Sequence, residues 1–414
     1  MRFPRTPIVA SILASVVVIL AVVLVFVDPR RAGPTTGLIV WIPGTPAGMA
    51  AVSGAIQTPT PTPLPVIATP PPATGELSAV QWAELRPNEI GGIPILMYHV
   101  IRPDPPAVDD GYTRTVAAFK NDLQELYDRD YFVVPLIDIV QNNINVPAGK
   151  HPVALTFDDA TAGQFRYLIA ADGSVTIDPE SAVDVLESFY AEHPDFGRGG
   201  YFAVPPATCF DWQGSESEPD QTPYCAQKLT WLIQNGYEVG DHTINHADLL
   251  DLDDQEFQAE VGGGWVELQK LVPELQPSIL ALPFGNYPDA DAHPEQREWM
   301  RSGFVYEGVS IQLQAALMVG ANPAVSPASI EWDPLYVARI RAYDGEFGST
   351  EWLDVLSSNP DLLYTSDGNP DTITVPTNLP ASLEGTVDVA RLADEGKRVL
   401  YYDPTTGAEQ TDNV

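Results

Sequence analysis

Three features of this 414-residue chain predict an α/β fold whose mostly parallel sheet curls into a distorted (β/α) barrel. From about Val80 onward, short apolar runs alternate with segments of helical spacing, the signature of strand–helix–strand units. The apolar runs read as buried strands. Residues able to do chemistry fall at the ends of successive runs, as in a barrel whose loops gather at one rim.

The elements follow in order. Ile93-Pro94-Ile95-Leu96-Met97-Tyr98 reads as the opening strand. Val116, Phe119, Leu123, Leu126 and Tyr127 recur at helical spacing and predict a helix between Thr115 and Asp130. Val153 to Phe157 is the next strand, followed after an insertion by a helix over 181–190. A strand at 200–204 and a helix at 227–235 lead to a short strand at 237–239. Phe257, Val261, Trp265 and Leu268 mark a further helix, which Gly262-Gly263-Gly264 weakens by about 1 kcal/mol per glycine. Runs at 279–282, 304–309 and 336–340 complete the strands. Beyond Asp361, the turn Ser366-Asp367-Gly368-Asn369-Pro370 and the β-like Thr372-Ile373-Thr374-Val375 predict a C-terminal β extension, 361–414, packed on the 80–360 domain.

The first 79 residues have a different character. Residues 8–27 are an unbroken apolar run, long enough for a transmembrane helix. The exit Phe26-Val27-Asp28 lacks the small residues of a cleavage site, which favours an uncleaved anchor in 1–32 over a secretory signal. Residues 33–79 form a linker rich in Pro and Thr, with Thr58-Pro59-Thr60-Pro61-Thr62-Pro63 as an extended spacer. The expected placement is a single pass through the cell membrane with the domain outside; the alternative is secretion. Cys209 and Cys225 are the only cysteines and flank an acidic, Ser/Gly/Pro-containing stretch. Export makes a disulfide the expected state, with two independent thiols as the alternative. A net charge of −35 disfavours nucleic acid and anionic polymers as partners and leaves neutral or cationic substrates.

Two segments carry the chemistry. Thr156-Phe157-Asp158-Asp159 places two carboxylates at a strand end, and His242-Thr243-Ile244-Asn245-His246 holds two imidazoles that share a face if that stretch makes a helical turn. One Asp and two His form a three-ligand set that leaves a divalent ion an open position. Zinc is the first expectation, with cobalt, nickel or manganese also suited to N/O donors. The second Asp is free to take a proton from water. Singly, Asp-Asp after a strand is a helix cap or turn and Pro-Phe-Gly is a turn. Their occurrence together, in order and at strand ends, argues for a metal site.

Over roughly residues 93–341 the chain resembles the polysaccharide deacetylases of the NodB type, the carbohydrate esterases of family four. Thr156-Phe157-Asp158-Asp159-Ala160 is similar to that family's Thr-Phe-Asp-Asp-Gly, and His242-Thr243-Ile244-Asn245-His246 to its His-Ser/Thr-x-x-His. Leu282-Pro283-Phe284-Gly285 resembles the end of its Arg-x-Pro-Tyr-Gly. The resemblance implies a NodB-type barrel and a metal-dependent hydrolase that removes acetyl groups from an extracellular or cell-wall polysaccharide. It implies Asp158 as general base, Asp159, His242 and His246 as metal ligands, and the backbone N–H of Phe284 as oxyanion donor. Three departures stand out: Ala160 for the motif Gly, Ala281 for the motif Arg, and no final Leu-x-His. Arg339 or Arg341 is the candidate replacement for the Arg, and His99 for the last His. If nothing replaces them, the alternative is a glycan-binding or scaffolding protein that keeps the metal site without turnover. An esterase of acetylated xylan or a small ester would use the same residues.

Overall fold

The computed structural model describes residues 77–106, 110–211 and 219–410. Eight strands form its main sheet: β1 (Ile95–Tyr98), β2 (Tyr131–Val133), β3 (His151–Phe157), β4 (Tyr201–Val204), β5 (Glu238–Asp241), β6 (Ile279–Ala281), β7 (Ala315–Leu317) and β8 (Ile340–Arg341). They run in the order β7-β6-β5-β4-β3-β1-β8, with β2 pairing to the first half of β3. Every pairing in this sheet is parallel. Val337 bridges Leu317 beside β7, while Ile340 and Arg341 pair with Leu96 and Met97 of β1. One segment, 337–341, thus joins both edges and closes a distorted barrel.

Successive strand residues alternate between two apolar clusters, as the pleat requires. Ile95, Ala154, Tyr201, Ala203, Ala281 and Ala315 belong to one. Leu96, Leu155, Phe157, Phe202 and Val204 belong to the other, with Phe119, Leu123, Leu126, Leu186 and Leu229 from the helices. Burial on both sides explains why these strands read as continuous apolar runs. The helix Val116–Asp128 starts where the Thr115 hydroxyl accepts the Ala118 N–H. Its Phe119, Leu123 and Leu126 are fully buried.

The expected helices are present at Ala182–Glu192 and Cys225–Gln234. The helix over Phe257 to Leu268 contains a π-helical turn, Gln258–Gly262, before Gly263–Leu271. Its glycines have a packing reason: a Cβ on Gly264 would lie 2.2 Å from Asp241 Oδ1. Only a bare backbone lets this helix reach the strand that carries His242. The 304–309 run is not part of the main sheet; it folds as an antiparallel hairpin, Phe304–Tyr306 with Val309–Ile311. In the tail, Thr372–Pro376 and Arg398–Tyr402 pair in parallel, and Glu409–Gln410 adds an antiparallel edge. Buried Glu89 ties this sheet to the start of the barrel, accepting the N–H groups of Thr374 (2.7 Å) and Asp367 (3.3 Å).

The membrane expectation is corrected. Among the described residues no helix is long and apolar enough to cross a membrane. The longest uninterrupted α-helix among them, Val116–Asp128, has 13 residues and spans about 20 Å against a hydrocarbon core of about 30 Å. Residues 8–27 and the linker to residue 76 lie outside the described residues. The described fold has no transmembrane helix, and nothing in it supports the membrane as a partner or a single-pass placement.

The expected disulfide joins Cys209 to Cys225, a sequence separation of 16, and such a loop closure contributes roughly 3 kcal/mol. One turn further along the same helix, Lys228 is wholly buried. Its Nζ donates to Gln221 Oε1 at 2.9 Å and lies 5.4–5.7 Å from the ring centres of Phe165, Tyr167 and Phe210. Burial pulls its pKa down to about 7 against the opposing pull of Asp211 and Asp220. An unfolded lysine keeps its proton to about pH 10. Folding therefore releases a proton between about pH 7 and 10, and stability rises with pH across that window. Lys228→Met should lose this slope. Urea midpoints of the two proteins are expected to diverge above about pH 7, the native chain gaining up to about 1.4 kcal/mol per pH unit relative to the variant. Parallel slopes would mean that the buried amine stays charged.

Candidate metal centre and active site

The two key segments leave the same end of the sheet from strands separated by one neighbour. β3 delivers Asp158 and Asp159, and β5, on the far side of β4, delivers His242. Asp159 Oδ1 lies 3.2 Å from His242 Nε2 and 3.2 Å from His246 Nε2. One ligand atom from each of the three residues falls within 4.8 Å of the others. A tetrahedral ion with bonds of about 2.0–2.2 Å needs donors about 3.3–3.6 Å apart, so the N₂O donor set fits a divalent metal.

The His segment is not a helical turn. Residues 242–246 form a loop in which Thr243 and His246 have φ of 58°. The Thr243 hydroxyl accepts the Ala247 N–H at 3.0 Å and holds the loop. Asp159 (φ 72°), Ala160 (φ 46°) and Phe284 (φ 57°) are also left-handed. Each such non-glycine residue costs about 1–2 kcal/mol, and this strain gathers at the ends of β3, β5 and β6. Ala160 bears the conformation that its sequence position leads one to expect of glycine.

His242 Nδ1 sits 2.8 Å from the Ala281 carbonyl. A proton there fixes the tautomer and turns the Nε2 lone pair toward Asp159. Burial disfavours charge on His242, but its hydrogen bond to Asp159 and the nearby carboxylates outweigh that and raise its pKa. Burial likewise opposes ionised Asp159, and the bonds from His242 and His246 hold its carboxyl well below the usual range. The triad thus favours a positive charge between its donor atoms.

Asp158, only 1 % exposed, is not in the triad. Arg339, fully buried, grips it with two parallel bonds, Nη1 to Oδ1 and Nη2 to Oδ2, each 2.7 Å. Arg339 Nε is itself fixed by the Met318 carbonyl at 2.8 Å. Burial pushes the Asp158 pKa up, but the guanidinium overrides it and keeps the carboxylate ionised. Of the two candidate arginines, Arg339 takes this place. Arg341 instead lies over the rings of Tyr112 (5.5 Å) and Tyr343 (4.7 Å).

His99, just past β1, places Nε2 3.9 Å from Asp158 Oδ2. Burial lowers its pKa despite the pull of Asp158 and Asp159. Gln164, absent from the sequence-derived set, donates Nε2 at 2.6 Å to both the His99 and Asp158 carbonyls. Thr161 donates to the same His99 carbonyl at 3.0 Å. These bonds lock His99 to the Asp pair, and no spacing signal in the sequence announces them. Phe284 sits beyond β6, 61 % exposed, with its ring centre 4.8 Å from that of His246.

A family model described as Polysaccharide deacetylase matches residues 205–295, which include His242, His246 and Phe284 and begin after the Asp pair. No curated protein matches the chain. Among solved structures it is similar to the Streptococcus pyogenes deacetylase PplD in complex with acetate, at 21 % identity over 60 % of this chain and 92 % of that one, TM-score 0.43. It is similar to BC0361, a polysaccharide deacetylase from Bacillus cereus, at 18 % identity over 64 % and 68 %, TM-score 0.44. A third is IcaB from Ammonifex degensii, at 18 % identity over 64 % and 96 %, TM-score 0.42.

Proposed function

We propose that this chain, which belongs to the polysaccharide deacetylase family, is a metal-dependent hydrolase that removes N- or O-acetyl groups from a polysaccharide outside the reducing cytosol. The hydrolase unit is residues 80–360, with 361–414 as an extension carried on it. The observation that supports this reading best is the separation of roles between two adjacent carboxylates. Asp159 converges with His242 and His246, while Asp158 is held apart by Arg339. The disulfide suits an oxidising compartment.

Asp159, His242 and His246 would hold the ion; their nitrogen-rich set favours zinc, with cobalt, nickel and manganese as further candidates. When bound, a divalent ion supplies Lewis acidity, polarising the acetyl carbonyl and acidifying nearby water. Asp158 takes the proton of the attacking water as its oxygen adds to the acetyl carbon. The Phe284 N–H donates to the developing oxyanion, a contribution of roughly 3 kcal/mol. His99 returns a proton to the leaving nitrogen or oxygen as its bond to carbon breaks, giving acetate and a free amine or hydroxyl. Arg339 keeps Asp158 ionised and oriented, and Gln164 keeps Asp158 and His99 in register.

The rival reading, glycan binding without turnover, depended on a missing arginine and a missing histidine. Arg339 and His99 both lie beside Asp158, which supports the enzyme reading. Acetate release from acetylated chito-oligosaccharides and from an O-acetylated glycan, run side by side, tests the proposal. Release should vanish on chelation and return with added metal; glycan binding with no release under any metal would overturn it. Metal analysis should find about one divalent ion per chain, lost in Asp159→Ala. Equal metal in the variant would remove Asp159 from the ligand set.

A further inference from the structure

His246 is the donor of the Asp159–His242–His246 set that no strand delivers directly. Asp159 follows closely on β3 and His242 on β5, but His246 comes only after a loop with left-handed backbone at Thr243 and at His246 itself. Its place beside Asp159 therefore depends on the shape of residues 243–246. Strained backbone of this kind persists only where the surrounding structure holds it.

The contacts that hold it converge on one residue, Glu260. The Glu260 carbonyl accepts the Ile244 N–H at 3.0 Å. Its carboxylate accepts the Asn245 N–H on Oε2 at 3.1 Å and the Asn245 side-chain amide on Oε1 at 2.9 Å. Three hydrogen bonds thus tie two consecutive loop residues, both lying between the imidazoles, to a residue 15 positions on from Asn245.

Glu260 is the middle residue of the π-helical turn Gln258–Gly262. Such turns are rare and gather at functional sites. The glycines beside it allow the close approach. A Cβ on Gly264 would lie 3.0 Å from the Thr243 carbonyl carbon, and one on Gly263 would lie 3.5 Å from Ile244 Cδ1. The residues that weaken this helix are the ones that bring Glu260 within reach of the loop. Asn245 is exposed and Glu260 half-buried. Hydrogen bonds so open to water add little to global stability, and their effect falls on the conformation of the loop.

We infer that Glu260 is a positioning residue for the metal centre: it holds the 242–246 loop in the shape that brings His246 to Asp159 and His242. The inference rests on the proposed metal-dependent activity and deepens it.

The test is the zinc affinity of the full-length chain, measured by competition with a chromogenic chelator. Glu260→Ala should weaken it about tenfold, the lower end of what loss of a group orienting a metal ligand costs. Glu260→Gln, which keeps an acceptor oxygen of the same reach, should recover most of that loss. Asn245→Ala should weaken affinity about threefold, and the double variant no more than Glu260→Ala alone, because the two residues form one contact. Glu267→Ala, which removes the exposed partner of Lys270 from the same helix, should keep native affinity. Cobalt-loaded protein adds a signature that a loss of stability does not move. The visible absorption of Glu260→Ala should weaken as water replaces His246 Nε2, while urea midpoints of the metal-free chains stay close to native. Should Glu260→Ala not fold, Asn245→Ala, at an exposed site, carries the same comparison against Glu267→Ala. Native zinc affinity and cobalt spectrum in the Glu260 and Asn245 variants overturn the inference and leave the metal centre standing, as do equal losses in these and Glu267→Ala. A folded native chain that takes up neither zinc nor cobalt overturns the metal centre, and this inference with it.

Discussion

Asp158→Asn is expected to lower the rate of acetate release by about 10²–10⁴-fold, the usual contribution of a positioned base, while the protein still binds about one divalent ion per chain. Asparagine keeps the shape of aspartate and one acceptor oxygen for Arg339, but it cannot take a proton. Because Asp158 contributes no atom to the Asp159–His242–His246 cluster, its loss should leave the metal in place. Retained metal also serves as a check on folding, since the three donors meet only when β3 and β5 are in register. Acetate release and metal content on one preparation decide the matter. A variant that loses both would make Asp158 a ligand, and one that keeps both would make it a bystander.

Much of this was legible because it depends on local pattern. Val153-Ala154-Leu155-Thr156-Phe157 is apolar on both faces, as a central parallel strand must be, and Asp158 and Asp159 follow at its end. Helices with a regular apolar stripe, such as Val116–Asp128, were equally visible. What escaped depends on contacts distant in sequence. The strand Ala315–Leu317 is short, fully buried and two-thirds alanine, so its composition carries little strand signal. The His pair meets through two left-handed residues rather than through helical spacing, a choice made by the loop's surroundings. Arg339 and Arg341, two apart, would share a face of a regular strand. The chain is strand only at Ile340–Arg341, and closing the barrel sends one guanidinium inward and the other outward among tyrosines. The membrane expectation rested on the length of the apolar run at 8–27 and the character of its exit, and those residues are not among those described.

Arg339 reaches Asp158 from an unexpected part of the chain. The family's arginine would precede Pro283 on β6, but Ala281 stands there with no exposed surface. The charge arrives instead from the closing segment beside β8, on the opposite edge of the sheet, and reaches the same carboxylate. Arg339→Met should therefore be among the most damaging single changes in the chain. It would leave a fully buried carboxylate without its partner, at a cost of about 3–5 kcal/mol. Against a total stability of about 5–15 kcal/mol for a domain, that is a large part of the whole. The carboxyl can escape only by keeping a proton, and then it cannot serve as a base. Activity should thus fall even in whatever fraction stays folded. Combining Arg339→Met with Asp158→Asn removes both charges, so the double variant should be more stable than Arg339→Met alone. The coupling should be about 0.5–3 kcal/mol, as for residues in one hydrogen-bond network. Urea midpoints of the native chain, both single variants and the double close the cycle. Additive costs would mean that the pair contributes nothing as a pair, and that Arg339 serves β8 rather than Asp158.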